Sequence, residues 1–268
     1  MRKLSCNMKL ELQNIRLSFS NTQRDGSRLL NGVNLSLEEG AITAIVGGNG
    51  TGKTTLFNII SGFIKDYEGQ VLIDGCDIRK VPAYKRTQIG IGRLFQGTQL
   101  MGNLSVLENM KVASCDKTGE HPLYPFFAIN SIKNREEEKA QKAIQIIKNL
   151  FGSNNKYLSM LNQKASNLSY GEQRLIGIAR LLMCDSKIML LDEPTSGVNP
   201  VYIDSIADII GNLVSEGCVT VLMIEHNMHF VRRLASRCAY LDNGKIEQYG
   251  TTEEVLGNEW VKNSYLGV

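Results

Sequence analysis

The chain has 268 residues, 43% of them hydrophobic and 21% charged, with a formal net charge of +3. Such a composition supports a sizeable core and excludes an intrinsically disordered polymer; without a basic run, the mild positive balance gives no nucleic-acid footprint. Six cysteines (Cys6, Cys76, Cys115, Cys184, Cys218, Cys238) lie scattered with no CxxC pair, which argues against a metal cluster or disulfide framework and for a reducing cytosol. The opening "MRKLSCNMKLEL" lacks the apolar region of a secretory signal. No window nears the roughly 18 apolar residues that a spanning helix needs, so a membrane role is expected only through a partner.

Residues 9–19 and 33–37 alternate like half-buried strands, joined by a polar, turn-rich stretch. "AITAIV" (41–46) is short and wholly apolar, as a strand covered on both faces is. "GGNGTGKTT" follows, and then a helix that stops near Gly62. Residues 69–75 read as a strand, Pro82 opens a short helix toward Gln88, and "IGIGRLF" leads into Gln96. Ser105 and Glu108 form a capping box at the head of "SVLENMKVA". Residues 116–131 break every period, whereas 133–151 carry an amphipathic stripe of Ala140, Ile144, Ile147 and Phe151. Ser169 stands where a helix N-cap would, with Gly171 allowing close approach and an apolar periodic run behind it. Residues 187–194 are a buried strand, 200–215 a helix, 219–226 a strand and 227–236 a helix, before a hairpin around Asn243-Gly244. Strand–helix alternation of this kind implies a mostly parallel α/β sheet, with 97–180 mainly helical.

The chemistry starts at Gly47. Residues 47–54 fit G-x-x-x-x-G-K-[ST] between a buried strand and a helix, the context that makes it a phosphate loop. Gly47, Gly48, Gly50 and Gly52 let successive N–H groups turn inward around Asn49 and Thr51. Lys53 adds a point charge for the β/γ oxygens and Thr54, followed by Thr55, offers a hydroxyl to Mg²⁺. "IMLLDEP" places the Asp192 carboxylate at a strand end, suited to Mg²⁺, with Glu193 next to it as a general base. Gln96 follows the apolar "GRLF", where a glutamine either senses Mg²⁺ and the γ-phosphate or is a solvated loop residue. His226 closes the apolar run "VTVLMIE", where a lone histidine is either functional or structural.

Together these residues resemble the ATP-binding-cassette (ABC) ATPases over almost the whole chain. The matches are the phosphate loop 47–54, Gln96 for the Q-loop, "LSYGEQ" for the signature, "IMLLDEP" for Walker B, "SGVNP" for the D-loop and His226 for the switch histidine. The resemblance implies one cassette domain over 1–268. Residues 1–96 and 181–268 would form the nucleotide-binding core, with an antiparallel β-subdomain at the N-terminal side, and 97–180 the helical signature subdomain. It implies ATP and Mg²⁺ as ligands, with Phe19 stacking on adenine, Gly47 to Thr55 holding phosphates, and Thr54, Gln96 and Asp192 at the metal. Glu193, His226 and Gln96 would serve hydrolysis. Ser169, Gly171 and Glu172 would reach the γ-phosphate of a second subunit, so the cassette must pair, as a homodimer or with a close relative, head to tail about a two-fold axis.

"LSYGEQR" carries Tyr170 and Glu172 where glycine and glutamine are commoner, and looks like the branch serving branched-chain amino-acid uptake. That branch implies integral membrane permease subunits as partners, no nucleic acid, and a place at the cytoplasmic face of the inner or plasma membrane. A soluble assembly ATPase of the iron–sulfur type, or a lipopolysaccharide-export ATPase, is the alternative.

Overall fold

A computed structural model describes residues 8–18, 28–97, 100–114, 129–151, 155–217 and 219–266. Phe19, expected against adenine, lies outside the described residues. The chain divides into two compact units, one of residues 1–96, 187–196 and 203–268, the other of 97–186 and 197–202.

The first unit is α/β with two sheets. Strands β1 (Leu10–Leu17), β2 (Leu30–Ser36), β4 (Glu68–Ile73) and β5 (Cys76–Asp77) form an antiparallel sheet in the order β2-β1-β4-β5. The second sheet runs β10-β9-β3-β8-β7-β6. Its strands β3 (Ile42–Val46), β6 (Ile91–Leu94), β7 (Ile188–Asp192), β8 (Thr220–Ile224) and β9 (Arg237–Asp242) are mutually parallel, and β10 (Lys245–Thr251) returns antiparallel to β9. Every residue of β3, β7 and β8 is buried, which is why their sequences are continuous apolar runs rather than alternating ones. Each buried Val, Leu or Ile contributes about 1.5–3 kcal/mol, so the centre of this sheet is the rigid platform from which the loops at its strand ends project. The hairpin at Asn243-Gly244 has both residues at positive φ (46° and 72°), the type I′ geometry that the Asn-Gly pair favours.

Helices α1 (Lys53–Ser61), α2 (Ala83–Gln88), α7 (Pro200–Ser215, of which the first turn belongs to the second unit), α8 (Met228–Leu234), α9 (Thr252–Gly257) and α10 (Glu259–Leu266) complete it. The C-terminal end of α1 is held by Arg86, which is 1% exposed and donates to the carbonyls of Ile59 (2.7 Å), Ile60 (2.7 Å), Ile78 (2.9 Å) and Val81 (2.9 Å). A cation at a helix C-terminus meets the negative end of the dipole, and these bonds satisfy carbonyls the helix itself leaves open.

The second unit is helical: α3 (Val106–Val112), α4 (Ile129–Phe151), α5 (Asn155–Met160), a 3₁₀ turn (Ala165–Asn167) and α6 (Tyr170–Met183). Its core joins Val106 and Met110 of α3, Ala143 and Ile147 of α4, and Ile176, Ala179 and Met183 of α6. The amphipathic stripe of α4 is rotated from the sequence reading. Ala143, Ile146 and Ile147 are its buried centre, while Ile144 and Phe151 sit at the margin, because α3 and α6 both pack on the same face.

Candidate functional site

The phosphate loop leaves β3 at Val46 and enters α1 at Lys53. Its path requires glycine. At Gly47 (φ 155°) a Cβ would lie 2.1 Å from the Leu241 carbonyl oxygen, and at Gly52 (φ 100°) 2.8 Å from Leu30 Cδ2. Gly52 is the N-cap of α1 and no side chain caps that helix, so its first N–H groups point outward at the positive end of the dipole. Within the first unit, Thr54 is exposed, Asn49 and Gly50 are exposed, and Thr51, Thr55 and Gly48 are half-buried. Thr51 Oγ1 donates to the Gly48 carbonyl at 3.0 Å, tightening the loop.

Lys53 is 6% exposed and its Nζ donates to the carbonyls of Gly47 (2.7 Å) and Gly48 (2.6 Å). Burial pushes its ammonium below the usual lysine range, and the charges of Glu193 and Asp192 oppose that shift. The ammonium therefore rests on its own loop, within electrostatic reach of both acids. An open cavity of about 690 Å³ lies beside this loop, lined by Arg28, Asn31, Asn49 to Thr51 and the Asp242–Gly244 turn.

Asp192 ends β7, is 2% exposed, and its Oδ2 accepts from Arg93 on β6 at 2.8 Å. The same guanidinium donates to Asn58 Oδ1 (2.7 Å) and lies over the rings of Phe57 and Phe95. Burial lowers the affinity of Arg93 for its proton, and Asp192 works against that. Arg93 was not singled out in the sequence. The signal available was a lone cation inside the apolar run "IGIGRLF", one strand away from the acid it meets.

Glu193 follows directly with φ 47°, a left-handed conformation that costs a non-glycine residue about 1–2 kcal/mol. It persists because the turn is pinned: Glu193 N donates to the Ile224 carbonyl (2.9 Å) and Ser196 N to the Glu193 carbonyl (3.1 Å). The side chain is thereby aimed between two partners. Gln96 Nε2 donates to Glu193 Oε2 at 2.7 Å, and His226 Nε2 stands 3.4 Å from Oε1. Three residues far apart in the chain thus meet at the ends of β6, β7 and β8. Behind them is a second acid, Glu225, 2% exposed, which sequence reading passed over although it too is a carboxylate closing an apolar strand.

Ser169, Gly171 and Glu172 belong to the helical unit. Ser169 is the N-cap of α6: its hydroxyl accepts from Glu172 N (3.3 Å), and the Glu172 carboxylate accepts from Ser169 N (3.0 Å) and Oγ (2.8 Å). Glu172 also pairs with Lys156 at 3.0 Å. Burial raises the Glu172 carboxyl, but the hydrogen bonds from Lys156 and Ser169 outweigh it and hold the group below the usual range. At Gly171 a Cβ would lie 2.6 Å from the Tyr202 ring, so the close approach there is by that side chain.

A family model described as ABC transporter matches residues 30–196. A probable branched-chain amino acid transport ATP-binding protein LivG of Archaeoglobus fulgidus is 35% identical, covering 96% of this chain and 95% of its own. The high-affinity branched-chain amino acid transport ATP-binding protein BraF of Pseudomonas aeruginosa is 34% identical, covering 92% and 95%. Among solved structures, the ADP conformation of MJ1267, an ATP-binding cassette of an ABC transporter, is similar with a TM-score of 0.80 at 32% identity, covering 98% of this chain and all of that one. The dimeric structure of MJ0796, a bacterial ABC transporter cassette, gives a TM-score of 0.71 at 26% identity over 91% and 98% of the two chains. The chain belongs to the ABC transporter family, as a nucleotide-binding ATPase subunit of a transporter.

Proposed function

We propose that this ATPase powers a membrane permease for the uptake of branched-chain amino acids or a similar small polar solute. It would work as one of two cassettes paired head to tail at the cytoplasmic face of the membrane. The names of the relatives and the "LSYGEQ" signature support the solute class, and the dimeric neighbour supports the pairing. Among the described residues no helix is long and apolar enough to cross a membrane, so coupling falls to a permease with its own spans.

The observation that carries the reading is Glu193, turned to positive φ and held between Gln96 and His226. ATP would place its phosphates at the uncapped start of α1, with Lys53 leaving the carbonyls of its own loop for the β/γ oxygens. The residues fit Mg²⁺. No group of three or more His, Cys, Asp or Glu forms an all-protein cage among the described residues, while the Thr54 hydroxyl, the Gln96 amide and the Asp192 carboxylate are hard oxygen donors that leave positions for phosphate and water. Bound there, Mg²⁺ supplies neutralisation of phosphate charge. Glu193 takes a proton from water as its oxygen bonds to the γ-phosphorus; the bridging β–γ P–O bond breaks and its electron pair leaves with ADP. His226 keeps the carboxylate oriented, and Ser169 with the N–H groups of α6 would close over the γ-phosphate of the opposite subunit.

Glu193→Gln tests this. Loss of a positioned base is worth about 10²–10⁴-fold in rate. ATP binding should persist, turnover should fall by at least that lower factor, and an ATP-bound dimer should accumulate on gel filtration. Turnover near the wild-type rate would assign the base elsewhere.

A further inference from the structure

Glu225 is buried at 2% exposure, one residue before His226, and no step of the reaction above uses it. Its Oε1 accepts from Thr195 N at 2.9 Å and Thr195 Oγ1 at 2.6 Å. Its Oε2 accepts from His226 N at 2.8 Å and Asn227 N at 3.0 Å. Four donors, three of them backbone N–H groups, converge on one carboxylate, which is the full acceptor capacity of such a group at roughly two contacts per oxygen.

The two ends of this bridge are not equivalent. Thr195 lies in the turn that begins at Glu193, and His226 and Asn227 begin the loop that leads into α8, where the Asn227 side chain caps the helix by accepting from Phe230 N. That turn is already tied to β8 by the bond from Glu193 N to the Ile224 carbonyl. Glu225 adds the second tie, two residues further on. The β7–β8 ladder ends at Asp192 and Ile224, so it is these two ties that hold the turn against β8 where the ladder no longer does. The second tie runs through the same side chain that accepts from the backbone of His226, whose Nε2 stands 3.4 Å from Glu193 Oε1.

We infer that Glu225 is a positioning residue for hydrolysis: it locks the Glu193 turn and the His226 loop to one another, so that the base and the histidine keep their registry. The inference rests on Glu193 acting as the base. A carboxylate is needed because donors face both oxygens. The isosteric amide of Glu225→Gln must turn its NH₂ either toward Thr195 N or toward His226 N and Asn227 N, and so opens one end of the bridge whichever way it is placed. Thr195 supplies a gentler break, since its hydroxyl is only one of the four donors.

The test compares Glu225→Gln, Thr195→Val, Thr195→Ser and Glu193→Gln in the full chain, measuring kcat and KM for ATP, ADP affinity by a fluorescent analogue, and thermal melting. For Glu225→Gln, kcat should fall at least tenfold while KM and ADP affinity stay within twofold, because the phosphate loop is untouched. Thr195→Val should lose about three- to tenfold in kcat, and Thr195→Ser, which keeps the hydroxyl, should recover most of it. A folded Glu225→Gln with kcat within twofold of wild type would overturn the inference, as would a loss of ADP affinity equal to the loss of kcat. If Glu225→Gln does not fold, equal rates in Thr195→Val and wild type overturn it, and a Val loss with Ser recovery upholds it. Glu193→Gln separates the two readings. An inert Glu193→Gln beside an unaffected Glu225→Gln refutes positioning alone, whereas an active Glu193→Gln removes the base and the positioning role with it.

Discussion

Replacing Arg93 with methionine isolates the worth of the charge that meets Asp192. The pair is 2.8 Å apart with side chains 6% and 3% exposed, so neither partner can fall back on water when the other is removed. Methionine keeps a similar stem against the Phe57 and Phe95 rings but leaves the Asp192 carboxylate buried without its cation. Breaking a buried pair from one side costs about 3–5 kcal/mol, and the donor lost to Asn58 Oδ1 adds about 1 kcal/mol. Arg93→Met should therefore destabilise the nucleotide-free protein by about 4–6 kcal/mol in urea unfolding. Arg93→Met/Asp192→Asn removes the stranded charge as well, and should recover about half of that loss, since a buried ion pair taken out whole costs little. The measurement is made without nucleotide, because a ligand that binds only the folded chain would add its own stabilisation. A single variant within 1 kcal/mol of wild type, or a double variant no more stable than the single, would refute the reasoning.

Ser169→Arg should leave nucleotide affinity of the monomer within twofold, since the phosphate loop is intact, yet abolish the ATP-induced dimer; weakened monomer affinity would contradict a role in the opposite subunit. We propose that the start of the helical unit, directly after Gln96, meets the permease, because a movement at the γ-phosphate would reach it first. Met101→Glu should then spare the ATPase rate of the isolated chain and abolish permease binding and transport, with retained transport placing the docking surface elsewhere. Met101 is 47% exposed, whereas its neighbour Leu100 packs on the helical core and would fold poorly as an acid. Three capping-box glutamates, Glu108, Glu172 and Glu254, are held below their ordinary value of 4.5. Depressed folded values mean stability present above about pH 4.5 and lost as pH falls through them, so the slope of urea stability between pH 5 and 3 should flatten in the triple glutamine variant; an unchanged slope would remove the caps from the acid response.

The parallel sheet was legible because its central strands are unbroken apolar runs, and the phosphate loop because glycine and lysine recur at a spacing set by backbone geometry. The pairing of distant polar side chains was not. Nothing local in "VTVLMIEHN" says that Glu225 reaches thirty residues back to Thr195, and Arg93 looks like any cation near a strand end until β6 is set beside β7. Two short C-terminal helices went unread for a different reason. The capping box of Thr251 and Glu254 was visible, but α9 has only six residues, too few for a helical period to show. The alternation at 33–37 likewise gave the strand but missed its start, since Leu30 is placed by burial against the phosphate loop rather than by any pattern of its own.

The acid in the signature remains to be reconciled with the phosphate expected there. A carboxylate at position 172 would repel an incoming γ-phosphate if it faced the helix axis with its charge free. It does not: one oxygen is taken by the Ser169 amide and hydroxyl, the other by Lys156. Lys156 is 55% exposed, so that pair is worth no more than about 1 kcal/mol, and the larger part of the compensation comes from the cap itself. An N-cap of this kind is worth about 1 kcal/mol. That is enough to keep the first turn of α6 formed while no phosphate is present. It is small beside two or three charge-assisted bonds to a phosphate, each about 1.5–3 kcal/mol, so the ligand can take the serine hydroxyl from the glutamate without unwinding the helix. We propose that the glutamate is a resident anion at the helix end, which would hold the seat in shape and yield it to a phosphate.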